Sequence, residues 1–221
     1  MDAPVTDPVS LLERVRRTFF APSRLAMAIR GDCPWIDVLL ISTVVAVASI
    51  ASVPEHVFQA DMQDAVTRRG DPVEITSSPA DIARWGRMMG MIATIGSHPV
   101  IAFIVAGIVF AVVTTLFRAQ VSYREHLSLA SHAMLIPAAG TVLRVLGRAA
   151  GIDFIESDPS WPLGLRTVAS IDPYIVWMLV VIVIGAHALD PKLAKVRAGA
   201  LLVGGYLALV IVSTALLHPP G

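Results

Sequence analysis

The chain has 221 residues, is 55% hydrophobic and only 15% charged, and balances 17 basic against 17 acidic residues. With a mean hydropathy of +0.71 and far less than the roughly 25% charge of soluble domains, it reads as an integral membrane protein rather than a soluble globule. Zero net charge offers nucleic acid no attraction, and a single cysteine, Cys33, excludes an intrachain disulfide and any cysteine-rich metal site.

Residues 1–9 read as a disordered lead. "LLERVRRTFFAPSRLAMAIR" at 11–30 follows, with Leu11, Leu12, Val15, Phe19, Phe20, Leu25 and Met27 interspersed with arginines. Pro22 is expected to divide it into two short amphipathic helices lying along the inner leaflet. The alternative is a basic flank that only sets topology. Under either reading Arg14, Arg16, Arg17, Arg24 and Arg30 are the candidate membrane-surface or lipid contacts, drawn to anionic lipid. Residues 1–34 thus form a cytoplasmic, basic, amphipathic segment. It is too long for the n-region of a cleaved signal peptide, so the first apolar run is expected to remain as an anchor.

Residues 35–217 are expected to form one all-α, polytopic domain of five transmembrane helices, with spans at about 36–53, 92–117, 125–147, 172–189 and 196–217. Asp32 and Pro34 suit the start of the first, and Trp35 its interfacial anchor. Asp37 is placed at headgroup depth, with an interior contact to a basic residue as the alternative. The outer loop 54–80 is polar and turn-rich, a poor place for a rigid site. From Arg84 to Phe117 a continuous helix would run about 51 Å, more than the roughly 30 Å hydrocarbon core. A kink at Pro99 is therefore expected, with the first part interfacial or protruding. Gly90, Gly96 and Gly107 there, and Gly199, Gly204 and Gly205 in the last span, would permit close helix contact.

"SYREHLSLASHAMLIPAAG" at 122–140 decides between four spans and five. Ser122 can cap a first turn containing Glu125, Pro137 can kink the helix, and Arg144 lies near an end where it can snorkel. A re-entrant segment is the alternative to a fifth span. In the segment 149–171, "SWPLG" suggests an interfacial piece. "SIDPY" restarts helix, with Asp172 as cap and Pro173 at the first helical position. With the N-terminus inside, cytoplasmic segments hold Arg14, Arg16, Arg17, Arg24, Arg30, Arg118, Arg124, Lys192, Lys195 and Arg197. The outer side holds Arg68, Arg69, Arg84, Arg87, Arg148 and Arg166. This bias favours a cytoplasmic N-terminus and an outer C-terminus.

No P-loop, dinucleotide fingerprint or HExxH occurs, so no catalytic residue, metal site or cofactor is expected. On the third span Glu125, Ser128 and His132 fall along one face at helical spacing. With His187 they make the candidate polar intramembrane face. The sharp reading joins His98, His132 and His187 as a proton relay or metal site. The bland one uses them as interhelical hydrogen bonds, with Glu125 in an ion-pair network with Arg118 and Arg124.

The layout resembles the Yip1 domain family in its bacterial branch. The basic "FFAPSRLAMAIR" precedes five spans, Tyr123 to Pro137 is similar to one family segment, and Asp172, Trp177 and Gly185 to another. The likeness covers roughly residues 18–217. It implies a five-helix membrane domain with a cytoplasmic N-terminus and no established catalytic residues. It also implies a bacterial inner-membrane location and work through association, as eukaryotic relatives act in trafficking with small GTPases. The expected function is a non-enzymatic membrane scaffold or accessory subunit, in contact with membrane lipids and with a membrane-protein partner or further copies of itself. The alternative is a small transporter, channel or proton-coupled permease working as an oligomer.

Overall fold

The computed structural model describes residues 9–53, 59, 78–150, 152 and 161–217, and these residues are helical with short connections and no strand. The helices are α1 (Leu11–Phe20), α2 (Pro22–Ile29), α3 (Ile36–Ala51), α4 (Pro79–Phe117), α5 (Tyr123–Ala133), α6 (Leu135–Ala149), α7 (Leu163–Ala169), α8 (Pro173–Leu189) and α9 (Lys195–Leu217). The expectations for residues 1–8, most of the loop 54–80 and part of the segment 149–171 lie outside the described residues.

Local chemistry sets the helix starts. The Ser10 hydroxyl accepts from the Glu13 N–H at the head of α1, and Pro22 occupies the first position of α2. Ser122 and Glu125 form a reciprocal capping box on α5. Asp172 caps α8, its Oδ1 accepting from the Tyr174 N–H at 2.8 Å. Pro137 has no N–H for the Ala133 carbonyl, and helix is interrupted at Met134, so the third predicted span is the pair α5–α6. Pro99 has no such effect: α4 passes through it as a single 39-residue helix. Residues 80–97 therefore belong to the same helix as the apolar run that follows them. One missing hydrogen bond is outweighed by the intact ladder on either side.

Among the described residues three helical stretches are long and apolar enough to cross a bilayer: Ala80–Phe117, Tyr123–Ala149 and Lys195–Leu216. A fourth is added if α7 and α8, bent by 61° at their junction, count as one. The 16 residues of α3 are apolar but shorter, about 24 Å against a core of roughly 30 Å. The most apolar part of Tyr123–Ala149 is 56% buried inside the protein, against 22% and 17% for the corresponding parts of Ala80–Phe117 and Lys195–Leu216. The α5–α6 pair is thus the centre of the bundle, and α4 and α9 are its flanks.

The N-terminal segment is not a loose flank. Leu25, Ala26 and Ile29 of α2 are fully buried, in one apolar cluster with Ile182, Ala186 and Leu189 of α8. At this end of the bundle Asp190 also ties two connections together, accepting from the N–H groups of Gln120 at 2.9 Å and Lys192 at 3.0 Å. Those two donors hold its carboxyl below the usual carboxylate range.

Close helix contact uses other glycines than expected. An added Cβ at Gly140 would lie 2.4 Å from the Tyr174 ring, and one at Gly185 would lie 2.5 Å from Leu129 Cδ1. Gly96, Gly107, Gly204 and Gly205 meet nothing within 4 Å, while Gly90 and Gly199 are in ordinary contact with Ile50 and Val183. Gly140→Ala is accordingly expected to cost about 1–3 kcal/mol through overpacking against a rigid ring. Gly107→Ala should be neutral or stabilise by up to about 1 kcal/mol, through helix propensity alone. Thermal melting in mild detergent distinguishes the two; equal behaviour would contradict the packing described here.

Candidate functional site

The most polar part of the interior joins α1, α3 and α5. Arg14 of α1 is 7% exposed and Thr18, one turn on, is fully buried, so this helix turns its polar side inward. Leu12 and Phe20, 79% and 83% exposed, stay outside. The Arg14 guanidinium meets the Asp37 carboxylate with Nη1 and Nη2, a two-pronged ion pair. Its Nη1 also lies 3.5 Å from His132 Nε2, at the outer limit of a hydrogen bond.

That arrangement settles the His132 tautomer. Nδ1 stands 2.7 Å from the Ser128 carbonyl, which only accepts, so Nδ1 carries the proton. Nε2 then presents its lone pair to a guanidinium, which only donates. The imidazole is neutral, fully buried and saturated by one neighbour on each nitrogen. Ser128 adds a second tie: its hydroxyl donates to the Pro34 carbonyl at 2.7 Å, fixing the chain just before α3.

The residues singled out from the sequence therefore separate. Ser128 and His132 share the buried site. Glu125 does not join them, because its carboxylate accepts from the backbone N–H and hydroxyl of Ser122 at 2.8 Å and closes the capping box. His187 Nδ1 is 2.9 Å from the Leu193 carbonyl and bridges the α8–α9 turn. His98 meets the Ser42 hydroxyl at 3.0 Å and links α4 to α3. Among the described residues no three of His, Cys, Asp and Glu stand close enough together to hold a metal ion.

The five arginines separate as well. Arg14 is an interior ion-pair partner rather than a lipid contact. Arg16 and Arg17 both reach Glu13, through bonds of 2.8–2.9 Å. Arg24 and Arg30 are exposed. Asp37 makes the contact to a basic residue that was the lesser reading of the sequence, with its side chain 42% exposed. The pattern carrying that signal is polar: Arg14 and Thr18 stand four apart on one face of a helix that turns Leu12 and Phe20 outward. His126, not singled out, is 1% exposed, edge-on to Phe110, and bonded through Nδ1 to the Ser122 carbonyl at 2.9 Å.

A second ion pair closes the opposite end. Arg144 Nη2 donates to Asp172 Oδ2 at 2.7 Å, and its guanidinium carbon lies 5.6 Å from the centre of the Tyr174 ring. The Asp172 N–H donates to the Tyr206 hydroxyl at 3.0 Å, which brings α9 to the same point. Arg144 thus pairs across helices instead of only reaching for headgroups.

No family model, curated protein or solved structure matches the chain.

The Arg14–Asp37 pair is unequal, because the Arg14 side chain is 9% exposed and that of Asp37 42%. Removing the acid strands a buried cation; removing the cation leaves an acid that water reaches. Asp37→Asn is therefore expected to cost about 3 kcal/mol. Arg14→Met should cost less, about 1 kcal/mol, and the double variant should resemble Arg14→Met. Detergent melting of the three variants reads the order; strictly additive losses would mean that the pair is not coupled.

Proposed function

We propose that the protein is a non-enzymatic integral membrane scaffold or accessory subunit. Its five spans are α3, α4, α5–α6, α8 with its α7 lead, and α9, and its basic N-terminal helices sit on the cytoplasmic side of a bacterial inner membrane, as the resemblance to the Yip1 domain family implies. The observation that carries this reading is the use of the interior polar groups. Arg14, Asp37, Ser128 and His132 bond to one another and to the backbone beside them, with Arg14 Nε the one atom of the group buried without a partner among the described residues, and Glu125 and His187 bond to chain segments beside them. None of these contacts leaves a group poised for proton transfer or substrate capture.

The flanks support association instead. Ile92, Ile95, Ile104 and Ile108 of α4, and Leu209, Ile211, Val212 and Leu216 of α9, are all at least half exposed. In a bilayer such faces are met by lipid tails or by the helices of another membrane protein. The polar stripe that would favour a transporter is not continuous, since Glu125 and His187 each turn away from His132.

Purification in mild detergent at native abundance, followed by mass spectrometry of co-purifying proteins, tests the reading. A reproducible membrane-protein companion or a defined homo-oligomer is expected. Recovery of single chains that show full activity after reconstitution alone would sink it. His132→Ala should cost roughly 0.6 kcal/mol of stability, and about 2 at most, with companion recovery retained, and His187→Ala should behave similarly. A matched, non-additive loss of a pH- or metal-dependent activity with normal melting would instead make the two histidines a working pair.

A further inference from the structure

Beside the N-terminal helices lies a groove of about 470 Å³, bounded by α1, α2 and the last turn of α8. Its chemistry is divided. Arg17, Ser23 and Arg24 supply the polar part, and Met27, Ala28 and Ala188 the apolar part, with Val9 at the edge. Arg17 is committed to Glu13 through Nε alone, at 2.8 Å, so both of its terminal nitrogens still have hydrogens to donate. Arg24 is exposed and makes no ion pair among the described residues.

We propose that this groove holds one anionic phospholipid, its phosphate between Arg17 and Arg24 with the Ser23 hydroxyl as a further donor, and an acyl chain along Met27, Ala28 and Ala188. The charge complementarity is local. Glu13 is held to about 2 by its bonds with Arg16 and then Arg17, so it stays ionised and offsets one of those two arginines. Arg24 adds a charge that nothing described offsets. Two guanidinium forks suit an oxyanion such as a phosphate and repel an amine-bearing ligand. The apolar half of the groove excludes a free phosphate as the natural occupant, because that ion would leave this surface uncovered. The exposed Leu12, Phe20 and Met27 on the same two helices place them where bilayer lipid is the surrounding solvent.

The site refines the membrane contact in the scaffold reading. It rests on that reading only in requiring these helices to lie at a bilayer surface. Arg17 and Arg24 become ligands of a bound lipid, while Arg16 and Arg30 remain surface charges.

The test uses the full chain, purified in mild detergent and placed in phosphatidylcholine nanodiscs with and without phosphatidylglycerol. Native mass spectrometry counts bound lipid and thermal melting reads protection. Wild type is expected to retain about one phosphatidylglycerol per chain and to melt higher in its presence. Arg17→Gln/Arg24→Gln should weaken retention by about tenfold or more, the loss of at least one charge-assisted phosphate contact. Arg16→Gln should not. Ala188→Trp leaves both arginines in place but fills the apolar half, and should also displace the lipid. Equal retention of phosphatidylcholine, or unchanged retention in Ala188→Trp, would overturn the proposal in favour of diffuse surface attraction. Equal protection by millimolar inorganic phosphate would overturn it in favour of a simple anion site. Companion recovery, measured separately, decides the scaffold reading, so failure of one does not imitate failure of the other.

Discussion

A guanidinium removed from water must be paired, and the placement of Arg14 follows from that constraint. Its charge is tolerable at 7% exposure only because Asp37 meets it with both oxygens and His132 offers a lone pair at its flank. Satisfying that one group brings together helices that are distant in sequence. It seats α1 against α5, sets the first turn of α3 beside both, and leaves Ser128 in position to hold the Pro34 carbonyl. The pair need not add much net stability to specify this arrangement. Any other register of α1 would leave a buried cation alone, and that penalty exceeds what apolar packing of one short helix restores.

The same constraint separates a fixed centre from an adaptable periphery. Around α5 most polar side chains are bonded, with His126 Nε2, Ser131 Oγ and Arg14 Nε the buried atoms left without a partner among the described residues, and the glycines at 140 and 185 are filled by Tyr174 and Leu129. On α4 and α9 the apolar side chains face outward, and glycines 96, 107, 204 and 205 touch nothing within 4 Å. A closely packed centre, with apolar flanks left to lipid or to other helices, accords with the scaffold proposed above. It is poorly suited to alternating access, which needs polar groups able to exchange partners.

How much of this was legible in the sequence depends on the range of the interaction. Caps were legible because they are decided within four residues: Ser122 with Glu125, Asp172 with Tyr174, Pro22 at the start of α2. The break near Pro137 was legible for the same reason. What was hidden is relational. Five arginines in one segment look alike until α5 supplies a lone pair and α3 a carboxylate for one of them. The glycines in the most apolar runs looked like contact points. The ones that matter were chosen by the rings and leucines of other helices. The unbroken 39-residue length of α4 was hidden because a proline is a local stop signal, whereas the ladder continues on both sides of Pro99. Among the candidate site residues, Ser128 and His132 are one turn apart on α5 and meet through the Ser128 carbonyl, a local relation that helical spacing shows. Glu125 closes the capping box with Ser122, which uses the same carboxylate that an ion pair would.

The two interhelical ion pairs share a design that explains why the acid, rather than the arginine, anchors each. Asp37 stands in the first turn of α3 with Oδ1 accepting from the Val38 N–H at 2.9 Å. Asp172 is the N-cap of α8, with Oδ1 accepting from the Tyr174 N–H at 2.8 Å. Each carboxylate is thus oriented by backbone donors of its own helix and favoured by the positive end of that helix dipole before any partner arrives. The long side chain of Arg14 or Arg144 then meets a fixed acceptor, so only the arginine loses substantial rotamer freedom when the pair forms. Arg14 loses more of its contact with water than Arg144, whose side chain is 44% exposed. The inner pair therefore fixes the position of a whole helix, whereas the outer one mainly joins the ends of helices already packed.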